Sequence, residues 1–147
     1  MAKTYRLGRG RRLANRLVRA LLRVGLGPPH TYLLTVRSRR TGRRLATPVT
    51  LVEEPGRRWL VAPYGEVGWV RQARASGTVT LGRGRRSATV GLVELPPAEA
   101  APVLKRYLAA VPITRPFFDV GPSSDLAAFV AEAPRHPVFR IVERRGP

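Results

Sequence analysis

Val36-Arg37-Ser38-Arg39-Arg40-Thr41-Gly42-Arg43-Arg44-Leu45-Ala46-Thr47-Pro48-Val49 reads as two strands joined by a tight basic turn. Gly42 permits the backbone reversal, and β-branched and aliphatic residues flank it on both sides. The turn gathers four guanidinium groups, from Arg39, Arg40, Arg43 and Arg44, with hydroxyls at Ser38 and Thr41. Guanidinium forks, hydroxyl donors and the free N–H groups of a turn bind phosphate or carboxylate oxygens, so the sequence supports an anion site here. A solvated hairpin tip is the alternative, and for an isolated charge run it is the commoner outcome.

The same two-residue period extends outward on both sides. Thr31 to Arg37, Thr47 to Glu53, Arg58 to Pro63, Thr78 to Leu81 and Ser87 to Leu95 are short runs rich in Val, Leu and Thr. Pro55-Gly56 and Gly82-Arg83-Gly84 join neighbouring runs as hairpins. Val67 to Ala75 predicts a short helix ending at Gly77, and Pro96-Pro97 opens a second from Ala98 to Ala110. Pro112 to Pro122 is irregular, with Phe117, Phe118 and Val120 as anchors. Ser123 or Ser124 is predicted to cap a short helix reaching Ala133, with Asp125 in its first turn, and Pro137 to Val142 is a last strand. Five or six mostly antiparallel strands with peripheral helices predict a mainly β fold, a small barrel in which closure removes exposed edges.

Ahead of the barrel, Arg6 to Leu26 predicts an amphipathic helix, with Leu13, Leu17, Leu21 and Val24 on one face and Arg12, Arg16, Arg19 and Arg23 on much of the rest. Arginines interrupt the apolar positions throughout, so it reads as neither a membrane span nor a signal peptide. Packing on its own domain and lying on an anionic bilayer are both open, the first slightly ahead. The chain thus divides into a basic helix over residues 1–27 and a single barrel domain over 28–147. Leu-Gly-Arg-Gly-Arg-Arg occurs at both Leu7 to Arg12 and Leu81 to Arg86, without similarity in the flanks.

The 147 residues carry 27 Lys plus Arg against 9 Asp plus Glu, a net charge of +18, and no acid precedes Glu53. That field attracts polyanions. The absence of cysteine excludes disulfides, thiolate metal sites and thiol catalysis, and fits a cytoplasmic protein. His30 and His136 have no metal-ligand spacing, so no metal site is expected. Ser123, His136 and Asp119 form a triad only on paper, without a nucleophile elbow. Glu53 and Glu54, adjacent on a strand, point to opposite faces. A nucleic-acid module is the main competing class, but the sequence has no RNP-type segment and its aromatics are not interleaved with the arginines. No specific nucleic acid is expected.

A second cluster runs Val61-Ala62-Pro63-Tyr64-Gly65, then Gly68-Trp69-Val70-Arg71-Gln72. Small residues at a strand end and an aromatic at a helix start let a flat ring approach the backbone closely, whereas Trp69 as a plain core plug is the favoured reading of that residue alone.

Taken in order, Ser38-Arg39-Arg40-Thr41-Gly42, Thr47-Pro48-Val49, Val61 to Gly65 and Trp69 to Gln72 resemble the deazaflavin-dependent nitroreductases, split β-barrel proteins related to the FMN-binding, pyridoxamine-oxidase-like barrels. The likeness covers about residues 31 to 95, and Arg135 to Ile141 is similar to the terminal strand of some members. It implies an oxidoreductase using coenzyme F420, a deazaflavin, to transfer a hydride to a small, hydrophobic, electron-poor molecule such as a quinone, an enone or a nitroaromatic. Carried over by position, Ser38, Arg39, Arg40, Thr41 and Gly42 would hold the cofactor's phosphate and anionic tail, with Arg44 adding charge. Thr47, Pro48 and Val49 would run beside the ring. Ala62, Pro63, Tyr64 and Gly65 would form the ring and ribityl pocket, and Trp69, Arg71 and Gln72 would close it. Ser38 replaces the family's usual glycine and Gln72 its common asparagine. No catalytic side chain is assigned, since the cofactor carries the chemistry; Tyr64 is the candidate, and Phe117 and Phe118 are candidates for the substrate side. FMN or haem, a homodimer, and attachment of the N-terminal helix to the inner face of the membrane are the other implied or open options. A basic polyanion-binding barrel without activity is the alternative function.

Overall fold

The computed structural model describes residues 9–38 and 40–143. Helix α1 (Arg9–Arg23) precedes strands β1 (Thr31–Arg37), β2 (Arg44–Glu54) and β3 (Arg57–Val61). Helix α2 (Gly68–Ser76), strands β4 (Thr78–Arg83) and β5 (Arg86–Glu94), helices α3 (Pro97–Ala110) and α4 (Leu126–Glu132), and strand β6 (Val138–Val142) complete the chain. All strand pairs are antiparallel, and the sheet closes in the order β1-β2-β3-β6-β5-β4. The fold is the mainly β barrel with peripheral helices that the sequence predicts. Pro112–Phe117, expected to be irregular, winds as a 3-10 helix.

Alternation along the strands builds two cores. Leu34, Val36, Leu51, Leu60, Val79, Leu81, Val90 and Phe139 fill the barrel, and Trp69, Val70 and Ala73 of α2 plug it. The opposite faces of β2, β3 and β6 carry Val52, Val61 and Val138 outward, where α3, α4 and Phe117–Phe118 cover them. Pro97 sits at the start of α3, where its missing N–H costs nothing. The cap of α4 is Asp125, whose Oδ1 accepts from Ala128 N at 2.9 Å, rather than Ser123 or Ser124. Ser124 Oγ instead accepts from Gly121 N in the preceding turn.

The N-terminal helix corrects the sequence reading most. Of its apolar residues Leu22 is fully buried, while Leu13, Leu17 and Val24 are 66%, 62% and 69% exposed. The N-terminal part of the stripe, Leu13 and Leu17, therefore faces away from the domain while Leu21 is half-buried, and the helix docks by its C-terminal end. Gly84 N donates to Leu22 O at 2.6 Å. The Arg83 guanidinium donates to Gly27 O, Pro28 O and Thr31 O at 3.0, 2.7 and 2.8 Å, tying the linker to β4. Gly84 is required at this contact: its φ is +62°, and a Cβ there would stand 3.1 Å from Gly25 Cα.

Gly84→Ala is expected to cost about 1–3 kcal/mol, the range for forced backbone strain, and to free the linker over residues 24–30. A lowered melting temperature with new proteolytic cleavage in that linker is the expected result; unchanged melting and protection would contradict the docking contact.

Candidate functional site

The second half of the β1–β2 pairing shapes one wall of a cleft of about 360 Å³. Thr47, Pro48, Val49 and Thr50 of β2 line it, facing Pro63, Tyr64, Val67 and Trp69 from the segment that leaves β3 and enters α2. Val18 of α1 and Tyr107, Val111, Ile113 and Thr114 from the end of α3 and the following 3-10 helix close the remaining sides. Convergence on one cleft of the two short clusters singled out in the sequence, one from β2 and one from the β3–α2 segment, is the central geometric finding. A mostly apolar slot of this size, with hydroxyls at Thr47, Thr50, Tyr64, Tyr107 and Thr114, suits a flat ring with a few polar edges.

The other candidate residues are placed as follows. Ala62 is buried in the barrel core rather than in the lining. Gly65 turns the chain with φ +83°, and a Cβ there would lie 3.3 Å from Arg135 O. Arg71 and Gln72 lie on α2 outside the cleft lining; Arg71 Nη2 donates to Glu66 O at 3.4 Å. Trp69 is both the plug and the wall: it is buried, packs against Phe139 at a centroid distance of 6.3 Å, and still lines the cleft. Helix α2 is held in place by Arg74, which donates to both oxygens of Glu94 at 2.8 Å and to Glu66 at 2.7 Å. Arg74 keeps the Glu66 carboxyl below the usual carboxylate range, chiefly through that hydrogen bond.

The basic turn sits at the head of the same strand. Ser38 N donates to Arg43 O and Gly42 N to Ser38 O, each at 2.8 Å, with Gly42 at φ +70°. Arg40, Thr41 and Arg44 are exposed; Arg39 lies outside the described residues. Among the described residues no acidic side chain pairs with Arg40, Arg43 or Arg44, because the acids are engaged elsewhere or, like Glu99, lie at a distant helix start. Positive charge at the turn is thus left uncompensated. Arg44 and Thr47 are three residues apart on an extended strand, so the turn begins about 10 Å from the cleft.

Inside the cleft Tyr64 meets Phe117 edge to face at 4.9 Å. Burial pushes the Tyr107 phenol well up from its ordinary value of 10.0; the nearby Tyr64 adds to the shift and a hydrogen bond with Thr114 opposes it. Thr114 Oγ1 in turn donates to Val111 O at 2.8 Å. Besides Thr50 and Val67, which neighbour assigned residues, sequence reasoning missed Val18, Tyr107, Val111, Ile113 and Thr114 as lining residues. They come from three segments distant in the chain, and only the lone tyrosine on the buried face of α3 offered a signal.

A family model described as F420H(2)-dependent quinone reductase matches residues 10–116. No curated protein matches the chain. Among solved structures, one described as an F420-H2 dependent reductase (FDR-A) superposes with a TM-score of 0.53 at 22% identity, covering 77% of this chain and 94% of its own. One described as a domain-swapped dimer gives 0.55 at 21%, covering 90% and 96%. An FAD-binding protein from Mesorhizobium loti gives 0.50 at 13%, covering 88% and 89%. At these identities the structures establish the barrel fold.

A folded-state pKa raised above the unfolded one contributes stability below the ordinary tyrosine value and loses it as pH rises past that value. The wild-type protein is expected to lose thermal stability above about pH 10 more steeply than Tyr107→Phe, as followed by melting curves at a series of pH values. Parallel slopes would place Tyr107 outside the buried environment described.

Proposed function

The chain belongs to the F420H(2)-dependent quinone reductase family, and from that premise we propose that the Thr47–Trp69 cleft holds the deazaflavin ring and presents it to a small, hydrophobic, electron-poor acceptor. Membership makes coenzyme F420 the cofactor and the chain an F420-dependent oxidoreductase. Quinones, enones and nitroaromatics are the acceptor classes that the apolar lining favours. The observation that carries the assignment is the shared strand: β2 begins at the basic turn, whose described arginines Arg40, Arg43 and Arg44 pair with no acid, and runs into the wall of the cleft. A ring in the cleft, joined through its ribityl chain to a phosphate and anionic tail at the turn, matches that spacing.

When bound, the cofactor supplies the hydride chemistry, while the chain binds, orients and excludes water. Pro48, Val49, Val67 and Trp69 offer flat apolar contact, and Thr47 and Thr50 offer hydroxyls along one edge. Arg40 and Arg44, with Arg39, hold anionic oxygens, and their guanidinium forks suit phosphate and carboxylate alike. Tyr107, whose phenol burial pushes further up, and Tyr64 stand on the acceptor side with Ile113 and Thr114. FMN shares the flat ring and a phosphate but lacks the polyanionic tail, so the charge of the turn favours F420 over it.

The exposed Leu13, Leu17, Val24 and Leu26, beside Arg16 and Arg23, give a second, compatible reading. Apolar and cationic side chains on one exposed helix suit the surface of an anionic bilayer. The 69%-exposed Ile113 lies on the cleft lining, as does Val18 of the same helix, so such a surface would stand near the entrance used by lipophilic acceptors. Among the described residues no helix is long and apolar enough to cross a membrane.

Arg39→Ala combined with Arg40→Ala is expected to weaken F420 binding by at least about tenfold, roughly the worth of one charge-assisted contact, with unchanged melting. An unchanged fluorescence titration at moderate salt would rule out the tail clamp. Leu13→Gln with Leu17→Gln is expected to lower co-sedimentation with phosphatidylglycerol vesicles; equal sedimentation of both proteins would remove the membrane reading.

A further inference from the structure

Behind the cleft lies a buried polar cluster that the proposed chemistry does not use. His136 and Glu132 are 3% and 2% exposed, in a layer otherwise built of Phe118, Phe129, Ala133 and Val138. His136 Nδ1 lies 2.8 Å from Pro63 O, and Nε2 lies 2.6 Å from Glu132 Oε2. Phe118 stacks on the imidazole at 3.7 Å with the planes 13° apart. Glu132 Oε2 accepts from Asp119 N at 3.2 Å, and Oε1 pairs with Arg135.

We propose that His136 is a positioning residue for the cleft: its Nδ1–H anchors the carbonyl of Pro63, with Glu132 orienting the ring, and so fixes the wall formed by Pro63 and Tyr64. A carbonyl only accepts, so the contact at 2.8 Å requires the proton on Nδ1. Nε2 faces the Glu132 carboxylate at 2.6 Å, a contact from the other side of the ring that fixes its orientation. Glu132 is itself fixed from two sides, by the Asp119 amide and the Arg135 guanidinium. Pro63 has no N–H, so its carbonyl is the one backbone group by which a hydrogen bond can hold it. Two further contacts join the same segments: Ala62 N donates to Pro137 O at 2.8 Å, and Gly65 turns against Arg135 O. Phe118 covers His136 while its neighbour Phe117 packs on Tyr64, so two adjacent residues back the anchor and the wall.

Packing alone gives no reason for this arrangement. Apolar residues of similar volume fill such a space at equal or lower cost than a buried polar pair. What they cannot do is hold a carbonyl at a fixed point. The consequence for ring binding rests on the assignment of the cleft to the cofactor; the anchor itself does not.

The experiment compares two substitutions in the full chain. In His136→Asn the side-chain amide nitrogen takes the place of Nδ1, which keeps the bond to Pro63 O and gives up Glu132. In His136→Gln it takes the place of Nε2, which keeps Glu132 and gives up Pro63. Both are expected to lower the melting temperature. His136→Gln is expected to shift the Tyr64 ring resonances in the cofactor-free protein and to weaken F420 binding by about tenfold, whereas His136→Asn restores both. Imidazole nitrogen shifts of the wild-type protein are expected to show a protonated Nδ1 at neutral pH, a readout that needs neither variant to fold. An unprotonated Nδ1, or identical Tyr64 resonances in both variants and wild type, would overturn the anchor. Failure of the wild-type protein to bind F420 would instead remove the cleft assignment and leave the Nδ1 and Tyr64 readings to decide the role of His136.

Discussion

The register of β2 against β1 governs the other placements in this molecule. Arg37 faces Arg44, Leu34 faces Thr47 and Leu33 faces Pro48 across an unbroken antiparallel ladder. A slip of one residue would exchange the two faces of β2, sending Leu51 out of the barrel core and Val52 into it. It would also turn the cleft wall. Because β2 is eleven residues long, it pairs with β1 over its first part and with β3 over its last. The same strand thereby links the basic turn, the cleft and the second core beneath α3. The turn geometry, with Gly42 in the left-handed region and Ser38 bonded to Arg43, sets that register at its origin.

Charge is distributed with the same economy. Nine acids serve 27 basic residues, and most are committed to holding elements together: Glu94 and Glu66 fix α2 through Arg74, Glu53 and Glu143 receive Arg58, Glu54 receives Arg106, and Glu132 sits inside the fold. Among the described residues, Arg40, Arg43 and Arg44 of the β1–β2 turn pair with no acid. That local surplus supports the proposed anion site more sharply than the net charge does, since +18 spread evenly would attract any polyanion.

Much of the barrel was legible in the sequence because strand periodicity and turn residues are local signals. The sequence pattern delimits Thr31 to Arg37 with its observed bounds and marks Pro63-Tyr64 by small residues at a strand end, whereas Thr47-Pro48-Val49 is placed beside the ring only by the family resemblance. Trp69 defeated a choice between plug and wall, since one large ring serves as both. The orientation of α1 was not legible: the apolar stripe through Leu13, Leu17 and Leu21 marks a face without saying that the domain covers only its end, and docking is decided by Leu22 and by the approach of Gly84 to Gly25, two residues far apart in the chain. The back of the cleft was hidden for a similar reason. In the sequence His136 offers neither metal-ligand spacing nor a triad with a nucleophile elbow, and only the fold brings it, with Glu132, against Pro63; Tyr107 enters the cleft only because α3 crosses the outer face of β2 and β3.

In the proposed arrangement one strand connects a ring-binding cleft to a tail-binding turn. A crystal structure of the full chain with coenzyme F420 tests it most directly. The account predicts the deazaflavin ring between Pro48 and Trp69 and the phosphate at the Ser38–Arg44 turn. A ring bound elsewhere would contradict it, for instance in the separate groove beside Trp59 and Arg106, and so would a tail running away from the turn.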